Sequence, residues 1–149
     1  MAVQFTIPSG AVSLTATTAK TAITLSMGAN IPGEIIALQI SSSYTTAGTP
    51  IDLLCEIGTA TSTGTGTTGT ITRVGSSQGT SLDTAKVNLS AEGTGWSQID
   101  AWDMVLPTGP YPYQWPLGRE FYLAISTIYA VRFTASVNCT IRSTLVYEV

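Results

Sequence analysis

Apolar residues recur at every second position along most of this chain, the signature of strands with one buried and one solvated face. Residues 50–57 set Ile51, Leu53, Cys55 and Ile57 against Asp52, Leu54 and Glu56. Residues 131–135 carry Val131, Phe133 and Ala135 in one phase, and residues 138–149 alternate Cys139, Ile141, Leu145 and Tyr147 with Thr140, Arg142, Thr144 and Glu148. Residues 33–41 place Ile36, Leu38 and Ile40 on one face, and residues 121–127 place Phe121, Leu123 and Ile125 there. Shorter runs are Val3, Phe5 and Ile7, stopped by Pro8, Ser9 and Gly10, and Ile23, Leu25 and Met27, ended at Gly28. Residues 96–106 alternate Trp96, Trp102, Met104 and Leu106 with Ile99, Ala101 and Val105, which suits a central strand or an interface strand. No window shows an apolar stripe with a period of 3.6 residues. The pattern therefore predicts an all-β chain of about seven to nine strands, a single-domain antiparallel sandwich, jelly roll or barrel.

Two stretches resist the pattern. Residues 59–81 contain a Thr/Gly-rich, low-complexity run that includes Thr61, Gly64, Gly66 and Gly69. Threonine favours extended backbone and glycine loosens it, so the segment reads either as a flexible surface excursion or as an assembly arm that orders against a neighbouring subunit. Residues 8–22 carry the same ambiguity. The expected organisation is an N-terminal strand or arm at residues 1–20 and a sandwich domain at residues 21–149, with the excursion inside it.

Composition narrows the chemistry. The chain has 149 residues, 25 threonines and 15 serines, no histidine, six basic and nine acidic residues, and a net charge of −3. Six scattered cations make no nucleic-acid footprint, and the absence of histidine excludes histidine triads and histidine zinc sites. No run of 18 apolar residues exists to span a bilayer, and the N-terminus shows no secretory pattern. The expectation is a soluble domain without nucleic-acid, membrane or cofactor partners. With 10% charged residues, it has little charge to keep a free monomer apart from its neighbours, which favours an interaction protein over a catalyst. Cys55 and Cys139 read as small buried hydrophobes; pairing them would require neighbouring strands.

Motifs for catalysis and ligand binding are sparse. Asp52 and Glu56 share a strand face at a separation of about 13 Å, and Asp100 and Asp103 fall on opposite faces, so neither makes a glycosidase pair. The Gly-Thr repeat lacks the lysine and helix of a phosphate loop, and no calcium-binding loop is present. Asn88-Leu89-Ser90 and Asn138-Cys139-Thr140 match the glycan acceptor pattern by chance in a chain this rich in Ser and Thr.

The richest local feature spans residues 107–120, with four prolines and two glycines around Tyr111, Tyr113 and Trp115. A backbone so constrained holds its aromatics rigid. They can stack on a sugar, anchor a protein interface or plug the end of a sandwich. Trp96 and Trp102 extend the candidate aromatic set, and Pro116, Gly118, Arg119 and Glu120 form the turn that re-enters a strand at Phe121.

The order of features resembles a family of small proteins encoded among the head genes of tailed bacterial viruses and linked to capsid decoration, or cement. The resemblance is carried by Thr18, Ala19, Lys20, Thr21 and Ala22 before a core strand, and by Thr49-Pro50-Ile51-Asp52-Leu53-Leu54. It continues through Leu106-Pro107-Thr108-Gly109, Gln114 to Glu120, and Leu145-Val146-Tyr147-Glu148. Where the family carries a Glu-Pro pair, this chain has Glu92-Gly93. The resemblance implies a jelly-roll-like sandwich without an active site, made in the host cytoplasm. It would stand as a homotrimer on the capsid surface, bound to the major capsid protein. Two alternatives stay open: a carbohydrate-binding or receptor-binding module of a phage fibre, resting on the aromatic set, and an integral head or tail component.

Overall fold

The computed structural model describes residues 2–43, 50–75, 82–106 and 111–149. They form twelve strands and no helix: β1 (Gln4–Leu14), β2 (Lys20–Ser26), β3 (Gly33–Ser43), β4 (Ile51–Ala60), β5 (Thr65–Thr68), β6 (Thr72–Arg73), β7 (Thr84–Ala91), β8 (Ser97–Leu106), β9 (Tyr111–Gln114), β10 (Phe121–Leu123), β11 (Ile128–Ala135) and β12 (Cys139–Glu148). The count exceeds the expected seven to nine because four short strands join the long ones. One sheet runs β10-β3-β12-β1-β6, with β9 also paired to β3; the other runs β5-β7-β2-β11-β4-β8. Neighbouring strands are antiparallel throughout, and the two sheets pack face to face as a β-sandwich.

The alternating residues build the core. Ile7, Val12, Leu38, Ile40, Ile141, Leu145 and Tyr147 of the first sheet meet Ile23, Leu25, Leu53, Ile57, Val131 and Phe133 of the second, all buried. Cys55 and Cys139 are buried and free, one in each sheet. Burial pushes both thiols above their ordinary pKa, and the carboxylates of Glu56 and Asp100 add to the effect at Cys55.

Three expectations from local pattern are corrected. Pro8, Ser9 and Gly10 do not stop the first strand, because the ladder between β1 and β12 absorbs them as a bulge between Pro8 and Ala11. Gly10 supplies the positive φ, and the Ser9 hydroxyl accepts the Ser143 N–H at 2.9 Å, so no ladder donor is stranded there. In β3, Ile35 rather than Ile36 faces the core. The register skips Ile36 between the pairs Val146–Ala37 and Tyr147–Ile35, and one extra residue inverts the phase. Finally, of the two readings of residues 96–106, central strand or interface strand, the central one is overturned, because among the described residues β8 pairs only with β4 and edges its sheet.

The Thr/Gly-rich excursion is also reinterpreted over its described part, residues 59–75. Its first residues end β4, Thr65–Thr68 pair with β7 as β5, and Thr72–Arg73 pair with β1 as β6. β5 and β6 each pair on one side within their own chain and edge their sheets on the other. Of the strand or arm expected at residues 1–20, Gln4–Leu14 form a strand, β1, which lies between β12 and β6. Residues 76–81 of the excursion, and residues 107–110 of the proline-rich segment, lie outside the described residues.

Topology explains why β2 does not alternate. β7 is second in its sheet and β8 is sixth, so their connection must pass three strands. Four inter-strand spacings of about 4.8 Å amount to about 19 Å, close to the reach of six extended residue steps from Ala91 to Ser97. Residues 92–96 therefore lie as a taut strap across the outer face, beside residues 61–64, which cross from β4 to β5. The Thr61 N–H donates to the Thr94 carbonyl at 2.8 Å, and the Thr94 N–H donates to the Ser62 hydroxyl at 2.9 Å. The Thr21 N–H donates to Glu92 at 2.9 Å, and the Thr21 hydroxyl bonds the other oxygen of the same carboxylate. Thr21, Thr24, Glu56 and Ala130 are buried as a result, so β2 and β11 are covered on both faces.

Candidate interaction surfaces

The aromatic set divides into a cluster and two separate residues. Trp102 of β8 stacks on Tyr113 of β9 with centroids 4.4 Å apart, and Trp115 stands edge-on to both, at 5.7 and 4.8 Å. The contacts continue edge to face from Trp115 to Phe121 and from Phe121 to Tyr129. β8 edges one sheet while β9 and β10 edge the other, so this ladder seals one side of the sandwich. Each such contact is worth about 0.5–1.5 kcal/mol beyond area burial. The rings occupy one another's faces, which is the arrangement of a plug. Tyr111 pairs through its backbone with Ile40 at the far end of β9, and its side chain is exposed. Trp96 belongs to the strap. The five aromatics do not form one platform.

The turn after β9 is held by backbone and one carboxylate. The Arg119 N–H donates to the Pro116 carbonyl at 2.9 Å, Gly118 takes φ +76°, and the Gly118 N–H donates to Glu120 Oε1 at 2.9 Å. Glu120 is thus the side-chain clamp, and Arg119 contributes through its backbone. Leu117 projects from the turn fully into solvent.

Under the strap lies a polar cluster that alternation alone does not announce. Arg132 Nη2 meets Glu56 Oε2 at 3.1 Å, with the Glu56 side chain buried and that of Arg132 22% exposed. The guanidinium carbon sits 4.2 Å from the Trp96 ring centroid, and Trp96 packs over Gly58, where a β-carbon would collide with it. Thr21, Thr24, Ser62, Glu92, Trp96 and Arg132 line a hollow of about 30 Å³. That is room for one water, and Arg132 Nε is buried beside it with no hydrogen-bond partner among the described residues. The cluster locks the strap to the sheet. Among the described residues, no three His, Cys, Asp or Glu side chains converge as a metal site.

The four residues expected in an assembly arm sit against their own chain. Thr61 bonds the strap, and Gly64, Gly66 and Gly69 lie against β7 and its end; a β-carbon on Gly66 would stand 2.8 Å from the Val87 carbonyl oxygen. The glycines here permit close approach. No sequence signal separates that role from flexibility, since both follow from a missing side chain.

Among the described residues, six of the ten exposed large apolar side chains gather at one pole and one edge, while Val74, Tyr111, Leu117 and Val137 stand apart. At the pole where β2, β10 and β12 end and β3, β7 and β11 begin, Ile31, Leu82, Tyr122 and Ile125 project into solvent, Leu82 being 72% exposed and Tyr122 59%. The loops that carry Ile31, Leu82 and Ile125 are tied together: the Ser126 N–H donates to the Gly28 carbonyl at 3.1 Å, and the Gly28 N–H donates to Asp83 Oδ1 at 2.7 Å. Beside them a shallow hollow of about 140 Å³ is lined by Pro32, Gly33, Glu34, Tyr122 and Glu148. At the edge, β8 pairs only with β4 among the described residues, exposes Ile99 and Val105, and carries neither lysine nor proline. Natural edge strands are usually guarded by such residues. No family model, curated protein or solved structure matches this chain.

Proposed function

We propose that this protein is a virion structural protein of a tailed bacterial virus. It decorates and stabilises the icosahedral capsid by binding between capsomers of the major capsid protein, as a homotrimer on the capsid surface. The observation that carries the reading is the apolar pole. Ile31, Leu82 and Ile125 sit on loops cross-tied by hydrogen bonds and Tyr122 stands on β10 beside them, a preorganised surface that loses little entropy on docking. Several such poles in one trimer would act together, because linked contacts raise the effective concentration of each remaining one. The low charge of the chain supports the same reading, since faces covered in a lattice need no charge for solubility.

The test is co-sedimentation with empty shells of the major capsid protein of the virus that encodes this chain. Wild-type protein is expected to pellet with shells and raise their melting temperature. The double variant Leu82→Ser/Tyr122→Ser is expected to bind at least tenfold more weakly while melting as the wild type does. Failure of the wild type to bind overturns the decoration reading. Unchanged binding by the variant removes the pole as its docking surface.

A further inference from the structure

Resting on the reading of this protein as an assembly component, we propose that its copies join head to tail through the two edges of the second sheet, the β8 edge of one copy pairing with the β5 edge of the next. Strand direction permits it. The sheet has six strands in strict antiparallel order, so its two edge strands run oppositely. A neighbour rotated about an axis along the strands presents β5 antiparallel to β8 and continues the sheet without reversing it. On β8 the run Asp100–Leu106 pairs one for one with Ile51–Ile57, and its bulge is confined to Ile99, which leaves seven regular residues. β5 is Thr65-Gly66-Thr67-Thr68; its register against β7 shifts between Thr65 and Thr67, and it has no bulky side chain to obstruct a neighbour.

Charge selects this pairing over the symmetrical one. β8 carries Asp100 and Asp103 and no cation, and Asp103 is exposed. Two β8 strands paired about the middle of the regular run Asp100–Leu106 would set Asp103 of one copy opposite Asp103 of the other, a repulsive cross-strand pair. The opposite edge is basic. Lys86 on β7 reaches over β5, its Nζ donating to Thr68 Oγ1 at 3.2 Å, and Arg73 on β6 lies at the corresponding edge of the facing sheet. An acidic edge and a basic edge on opposite sides of one subunit suit a heterologous contact, which closes into a ring when the rotation allows. Val105, exposed on β8, would be covered in the joint.

Light scattering coupled to size exclusion, over a concentration series, tests the inference. Wild-type chain is expected to form a closed oligomer of fixed mass, three times 15.6 kDa for the trimer. Asp103→Lys and Lys86→Glu alone are each expected to weaken association at least tenfold. The double variant Asp103→Lys/Lys86→Glu, which restores opposite charges across every joint, is expected to recover it to within about threefold. Val105→Lys serves as a second blocking variant, and unchanged melting temperatures show that each variant is folded. A wild type that is monomeric at every concentration overturns the inference. So does an oligomer insensitive to both charge reversals, or one the double variant does not rescue. Shell binding retained by monomeric Asp103→Lys would leave decoration standing, whereas intact oligomers that ignore shells would leave this joint standing without it.

Discussion

Replacing Gly64 with alanine puts a methyl carbon 2.5 Å from the carbonyl oxygen of Ala91 and 2.8 Å from Cδ2 of Leu89, at a residue whose φ is +69°. Two costs follow. An L-residue held in the left-handed region loses about 1–2 kcal/mol. Forcing extra volume against packed neighbours adds about 1–3 kcal/mol, and here one neighbour is backbone, which cannot swing aside. The sum, about 2–5 kcal/mol, corresponds to a fall in melting temperature of roughly 5–20 °C for a domain of this size. Gly118 is the control, because its φ is +76° but nothing lies within 4 Å of its would-be β-carbon. Gly118→Ala should lose the conformational term alone, about 1–2 kcal/mol. Thermal melts followed by circular dichroism, with urea titration to give free energies, separate the two variants. If the Thr/Gly-rich segment were a mobile excursion, Gly64→Ala would be neutral, or would stabilise by about 0.4–1 kcal/mol by restricting the unfolded chain. Equal melting of Gly64→Ala and wild type would refute the close-packing account of this segment.

Two further outcomes test the strap and the core. Glu56→Ala leaves the Arg132 guanidinium under Trp96 without its carboxylate and should cost about 3 kcal/mol, whereas the paired change Glu56→Leu/Arg132→Leu should recover most of it; a loss below about 1 kcal/mol in urea unfolding would mean that water screens the pair. Because the pKa of Cys55 and of Cys139 is raised in the fold, the folded state holds these protons more tightly than the unfolded chain, so their contribution is complete below the ordinary thiol range near about 8.5 and is lost as pH rises above it. Melting temperature should therefore fall above about pH 9. Cys55→Ala should melt lower at neutral pH yet show a shallower alkaline fall, and an identical slope in the variant would contradict the assignment.

Strand content was legible in the chain because alternation is a local property. Leu53, Cys55 and Ile57, or Ile141, Leu145 and Tyr147, declare a buried face without reference to any partner, and the core is built from such positions. Register and strand order depend on partners far away along the chain, and local pattern is silent about them. Ile35 displaces Ile36 only because β12 pairs around a bulge, and Pro8 to Gly10 continue a strand only because Ser143 supplies a donor to Ser9. The same limit governed function. The aromatics of residues 111–115 could be recognised as rigid, but whether they face solvent or one another was decided when β8 and β9 came to edge opposite sheets. Glu56 lies on the polar phase of its strand, and only a strap that must cross three strands covers it together with Arg132. Glycine carries the clearest ambiguity. A missing β-carbon frees the backbone when nothing is near and admits a neighbouring strand when something is, and only the packed structure supplies the neighbour.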